Sequence, residues 1–172
     1  MAKLAAGGAK VKELNGFLGA ALQFAALDIA LHESMKNGLE EAARRIAETA
    51  KDEVGHYQPA VGPFNKWDDL AESTEANKAQ RGFPANAPLE RTGGFRDSGQ
   101  FEVKGFDAVV GSKDEKAPWF EFDTSRMPPR PVIGPVVIHN SRFIKSIIGR
   151  AVVEGISSVR TVHPSLGYND LI

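Results

Sequence analysis

The chain has 172 residues, 21 Lys and Arg against 22 Asp and Glu, and no cysteine. That length is enough to bury one real core and too short for two large domains. The missing thiols exclude a disulfide framework, a thiolate metal site and a catalytic thiol, while a net charge of −1 argues against DNA affinity built mainly on phosphate neutralisation.

Lys3, Lys10 and Lys12 precede an apolar stretch, residues 16–31, that superficially resembles a secretory signal. Glu13 interrupts the basic part, Gln23 and Asp28 interrupt the apolar part, and the run falls short of the roughly 20 apolar residues of a membrane span. A buried or interface helix, with no membrane association, is the expectation. Leu14, Phe17, Leu18, Ala21, Leu22 and Ala25 fall at helical spacing, while Phe24, Leu27 and Ile29 lie on the opposite side. A helix apolar nearly all round needs cover on both sides, from the core or from a neighbouring subunit. Asn37-Gly38 is expected to break or bend it. The pattern resumes at Leu39, Ala42, Ala43, Ile46, Ala47, Ala50 and Val54, with Glu40→Arg44 and Glu41→Arg45 as outward pairs, and stops near Gly55.

Residues 55–93 carry four prolines and several glycines and read as a long extended loop. One helix is expected inside it, from Ser73 as N-cap to Arg81, with Gly82 as the stop. Loops of this length are usually functional or flexible rather than plain connections. Residues 94–123 read as strands: alternating pieces around Phe101 and Val103, the segment 106–111, a charged turn at 112–116, and the aromatic alternation of 118–124. After a Pro-rich stretch a last helix is expected over 136–156, with Phe143, Ile144, Ile147, Ile148, Ala151 and Val152 as its apolar stripe. The sum is an α+β fold, with a long N-terminal helix and a C-terminal helix packed on a small antiparallel β-sheet. It forms one domain over 1–160, followed by a tail over 161–172.

Charge is segregated. Residues 1–50 balance, residues 51–125 hold 9 basic and 14 acidic side chains, and residues 126–172 hold 6 basic and 2 acidic. Opposite signs of this kind suit intersubunit complementarity, or they are simply solvated faces.

Catalytic and ligand-binding patterns are missing. There is neither a phosphate-binding loop nor a dinucleotide fingerprint nor a Gly-x-Ser-x-Gly elbow. His32, His56, His139 and His163 are too far apart for a helical metal site. Asp52-Glu53, Asp68-Asp69 and Asp114-Glu115 are adjacent carboxylates, and adjacency does not place two acids on opposite sides of a substrate. No catalytic residue, metal or cofactor is therefore expected. The segment Arg126-Met127-Pro128-Pro129-Arg130-Pro131 is stiff and poor in backbone donors. It is a rigid connector into the last helix, an arm presenting arginines to carboxylates or phosphate, or both.

The order of the motifs adds a resemblance. Trp67-x-x-Leu70, Ser73-Thr74 and Lys78 precede Pro88-Leu89-Glu90-Arg91-Thr92-Gly93-Gly94-Phe95-Arg96-Asp97-Ser98. Val110-Gly111-Ser112 follows, and then Trp119-Phe120-Glu121-Phe122-Asp123-Thr124-Ser125-Arg126-Met127-Pro128-Pro129-Arg130-Pro131. Over about residues 38–150 this resembles the tail-completion, or head–tail joining (neck), proteins of tailed bacteriophages. Their pattern has an R-T-G-x-L-R-D-S-like string, V-G-S, and an aromatic-x-E-F-G-T-x-x-M-P-x-R-P segment. The sequence departs from it at Asp123, where the family has Gly, and at Gly99, Val132 and Gly134, so the local turns there are expected to differ.

The resemblance implies a structural virion protein, not an enzyme, completing the tail end and joining it to the DNA-filled head. It implies a homo-oligomeric ring in the neck, assembled in the host cytoplasm. Its neighbours would be an adaptor or stopper and a tail terminator or tail tube, with viral DNA passing through the lumen without specific binding. Trp67, Leu70, Arg91, Arg96, Arg126, Met127 and Arg130 are the expected interface residues. Three alternatives remain open. One is a DNA-binding, packaging-related module using Arg142, Lys145, Arg150 and Arg160. Another is a tail terminator or head-closure protein of the neighbouring layer. The last is a hydrolase whose site forms where His56 or His139 meets a carboxylate.

Overall fold

The computed structural model describes residues 5–125 and 127–158, with side chains from residue 16 onward. Arg126, Arg160, His163 and the expected tail over 161–172 lie outside the described residues. The fold is α+β, as expected. Helix α1, Ala5–Glu53, runs unbroken for 49 residues, about 74 Å at 1.5 Å per residue. Asn37-Gly38 does not break it. Gly38 is buried where α6, Ser141–Ser158, crosses α1, and a Cβ there would sit 2.8 Å from the Ala151 Cβ. Gly155 of α6 makes the reciprocal approach, within van der Waals range of the Leu31 backbone. These glycines serve close helix packing rather than chain reversal. Gly55, at φ 95, ends α1 as expected.

The core lies over the C-terminal half of α1. Ala42, Ala43, Ile46, Ala47, Ala50 and Val54 are the buried face of α1, Ile147 and Ala151 of α6 are buried with them, and Ile46 and Ala50 cluster with Trp67, Val132 and Val136. The small alanine side chains let neighbouring elements approach closely, while Trp67 fills the volume they leave.

Helix α2, Glu72–Gln80, lies within the long loop, as expected. Its N-cap is Ala71, with no side-chain hydrogen bond, rather than Ser73. A one-turn helix, α3 (Gly94–Asp97), precedes the hairpin of β1 (Gly99–Lys104) and β2 (Asp107–Ser112). The strands pair antiparallel from Gly99↔Ser112 to Lys104↔Asp107. Gly105, at φ 57, occupies the first central position of the two-residue turn, where a primed turn needs a positive φ. Two strands alone are marginal in water; these rest on α1, with the Phe106 ring 4.2 Å from that of His32.

The third expected strand, 118–124, is instead helix α4, Ala117–Phe122. Pro118 occupies the first turn of α4, where its missing N–H costs nothing. The helical turn also sends Glu121 toward the following chain: its Oε1 accepts from the N–H groups of Val132 and Ile133, both at 2.9 Å. Those are the orphan donors that open α5, Ile133–His139. The single last helix expected over 136–156 is thus two helices, α5 and α6, jointed at Asn140. Its side-chain amide donates to Val136 O and Thr49 Oγ1 and ties the joint to α1.

Candidate interaction surfaces

Of the seven expected interface residues, Trp67 and Arg130 are interior, each only 4% exposed. The Trp67 indole N–H donates to Pro131 O at 3.2 Å. The Arg130 guanidinium donates to the carbonyls of Asp68 (2.9 Å) and Asp69 (3.3 Å), and its backbone N–H to Phe120 O. The Pro-rich arm is therefore a connector that locks the 67–70 loop to α4 and α5. Its prolines suit that role, because a segment with few donors can lie against others with few hydrogen bonds to satisfy.

Leu70, Arg91, Met127 and Arg130 converge on one cleft of about 380 Å³, between α2, the 89–92 loop, α3, α4 and the arm. Leu70, Leu89, Phe95, Phe120 and Met127 supply its apolar lining, with Phe95 and Phe120 edge-to-face at 4.7 Å. Lys78, Arg91, Lys116 and Arg130 supply cations, and Glu90 and Asp114 the acids. Lys78 is only 3% exposed, and its ammonium donates to Ala87 O. Burial first, and then the Arg91 charge, hold its pKa below the ordinary lysine value against the opposing pull of Glu90 and Glu75. Arg91 reaches Asn77 Oδ1 at 3.1 Å and lies over the Phe83 ring. Arg96 stands apart from this cleft; it lies 4.0 Å from Glu90 and borders a second, mainly apolar cavity of about 240 Å³ between α1, β2 and α4. Leu70, Arg91 and Met127 are expected interface residues, whereas Lys78 belongs to the ordered motifs without an assigned role and Lys116 to neither. Nothing local distinguishes a buried lysine in an ordinary polar helix from an exposed one.

A second surface is the N-terminal half of α1. Phe17, Leu18, Leu22, Phe24 and Ile29 are 61–81% exposed. They form two stripes. Phe17 and Phe24 continue the seven-residue spacing of Leu31 and Gly38, both already covered by α6. Leu18, Leu22, Ala25 and Ile29 lead into His32, which the hairpin tip covers. Among the described residues neither covering element extends past about residue 31, and each stripe continues some 20 Å beyond that point.

Among the described residues the shortest carboxylate–histidine contact is Glu53 Oε1 to His139 Nδ1, at 3.0 Å, against 3.6 Å for Asp28 and His32. Burial raises the Glu53 carboxyl above its ordinary 4.5, only partly offset by His139 through its hydrogen bond and charge. Neither residue lines a described cavity. His56 Nδ1 sits 3.1 Å from a backbone carbonyl, that of Asp52. Among the described residues no group of three metal-ligating side chains gathers, and no helix is long and apolar enough to cross a membrane. Arg150, one of the cations of the DNA-binding alternative, is shared between Glu41 (3.2 Å) and Glu154 (3.7 Å). No family model matches this chain, nor does any curated protein or solved structure.

Proposed function

We propose that this chain is a structural subunit of a tailed-bacteriophage neck, assembling as a homo-oligomeric ring that completes the tail end and joins it to the DNA-filled head. The observation that carries the proposal is the uncovered N-terminal half of α1. Among the described residues its five large apolar side chains leave roughly 600 Å² of apolar surface exposed over two stripes, a total comparable with the largest patch of a monomeric protein. A stable interface needs roughly 800 Å² per partner. The stripes of α1 are almost uncharged over residues 16–31, Asp28 and His32 being the nearest titratable groups, so a like surface on another copy suits them.

Two further features support the reading. The ordered motifs from Trp67 to Pro131 resemble those of neck proteins. At Asp123, where that pattern has Gly, the backbone adopts φ 74, ψ 174, a region that essentially only Gly occupies without strain. In a ring of head-to-tail contacts one face must complement a different one, and two separate stripes on α1 meet that need. Adaptor or stopper and tail proteins would be the neighbouring layers.

The test is genetic. Deleting the gene from its phage should yield DNA-filled heads and separate tails in electron micrographs. Supplying the wild-type chain should restore joined particles, while supplying Phe17→Glu/Leu22→Glu should not. Normal joined particles from the deletion would end the proposal.

A further inference from the structure

The cleft beside α2 is richer in cations than in acids. Four cations line it, and among the described residues none of them lies within ion-pair distance of a carboxylate. Lys78 and Arg130 are nearly fully buried, yet among the described residues both donate to neutral carbonyls, and the Arg130 Nε finds no hydrogen-bond partner among them. Arg91 reaches only a side-chain amide. The two acids of the lining also have partners of their own: Glu90 lies 4.0 Å from Arg96, and Asp114 accepts from the Lys116 backbone N–H. A positive cleft is thus set into the stretch of sequence that is richest in acid, within a chain of net charge −1.

The geometry points to this cleft as the docking site for an acidic–apolar segment of a partner protein, with carboxylates placed among Lys78, Arg91, Lys116 and Arg130 and an apolar side chain on the Leu70–Phe120–Met127 lining. Folding has already taken two of the cations out of water, so a carboxylate arriving there meets preorganised, partly desolvated donors and forms charge-assisted bonds stronger than neutral ones. The apolar lining adds burial that a bare anion could not use. Concavity decides against nucleic acid. A space of about 380 Å³ accepts a few side chains, whereas a duplex needs cations spread along an exposed surface. The inference does not rest on the neck reading, since it concerns the chemistry of the cleft and not the assembly in which it works.

The test uses the full chain, isotopically labelled, titrated with acetyl-Asp-Leu-Asp-Phe-amide and with its neutral counterpart acetyl-Asn-Leu-Asn-Phe-amide. The acidic peptide should shift amide resonances around the cleft, at Thr74, Thr92, Phe120 and Met127. It should bind about tenfold more tightly than the neutral peptide and weaken as NaCl is added. Arg91→Glu/Lys116→Glu changes only exposed positions, so its spectrum away from the cleft should be unaltered while binding falls about tenfold. Equal binding of the two peptides, shifts elsewhere on the molecule, or full affinity in the double variant would each overturn the inference. Inorganic phosphate or a short DNA duplex displacing the acidic peptide at lower concentration would overturn it in favour of a phosphate ligand.

Discussion

At Asp123 and Glu53 a single side chain works against its surroundings. Asp123 holds φ 74 and ψ 174, a conformation that costs about 1–3 kcal/mol for a residue bearing a Cβ. Glycine relieves that strain but loses more entropy on folding, so Asp123→Gly should stabilise the chain by about 1 kcal/mol. Asp123→Ala, which keeps a Cβ, should give no such gain. Urea unfolding of the two variants separates strain from loss of the carboxylate: equal midpoints would show that the backbone is not the cause. Glu53 is buried beside His139, and its folded pKa is raised above 4.5. A raised folded pKa means that the native state holds the proton more tightly than the unfolded chain does. Its contribution is therefore fully present below 4.5 and is lost as pH rises through the higher folded value. Glu53→Gln removes the titration, so urea midpoints followed from about pH 4 to about pH 8 should decline less in the variant than in the wild type over that window.

Helix α1 is held at its C-terminal half by close packing and left uncovered at its N-terminal half, and each half makes its own prediction. Gly155→Ala would drive a Cβ to within 2.8 Å of the Leu31 Cα, which belongs to a rigid helix and cannot turn aside. It should cost about 1–3 kcal/mol in spite of the better helix propensity of alanine. Gly149→Ala lies on the same helix with nothing within 4 Å and should stabilise by about 0.5–1 kcal/mol. Thermal melts giving the same sign for both would mean that α6 does not cross α1 this closely. In the uncovered half, the wild type should sediment as an oligomer at micromolar concentration, and Phe17→Glu/Phe24→Glu as a monomer with its melting temperature nearly unchanged. A monomeric wild type would remove the case for self-association through α1.

Much of this architecture could be read from spacing. The 3.6-residue period marks α1, α6 and the alanine face, and the alternation around Phe101 and Val103 with the segment 106–111 marks the strands of the hairpin. The errors came where a pattern was too short to have a period. Pro-Trp-Phe-Glu-Phe at 118–122 satisfies strand alternation and one helical turn equally well, and only the recruitment of Glu121 by the N–H groups of Val132 and Ile133 decides between them. Sequence leaves Arg130 open between connector and outward arm because its acceptors are backbone carbonyls, which every residue possesses and no sequence advertises. Gly38 was read as a break because a glycine needed for close packing is written in the same letter as one needed for a turn.

At the scale of the whole molecule the question is what the charge layout does to DNA. A neck subunit encloses DNA that must move, whereas a packaging module must grip it, and the two demand opposite electrostatics. The net charge is −1, with residues 51–125 strongly acidic. Of the cations available for gripping, Arg150 is held by Glu41 and Glu154, and Lys78 and Arg130 are buried. Arg142 and Lys145 are exposed, but two charges displace few counterions from a duplex. Since the slope of log affinity against log salt is about −0.9 for each phosphate neutralised, a gripping surface with six or more contacts would lose orders of magnitude between low and physiological salt. This chain should instead bind a random duplex with a Kd weaker than about 0.1 mM at physiological salt and with a shallow slope. Fluorescence anisotropy with a labelled duplex across a salt series measures both. A slope of about −5 or steeper, lost on Arg142→Glu/Lys145→Glu, would replace the neck reading with the DNA-binding one. A flat profile leaves the neck reading standing, because it is what a passage for moving DNA requires.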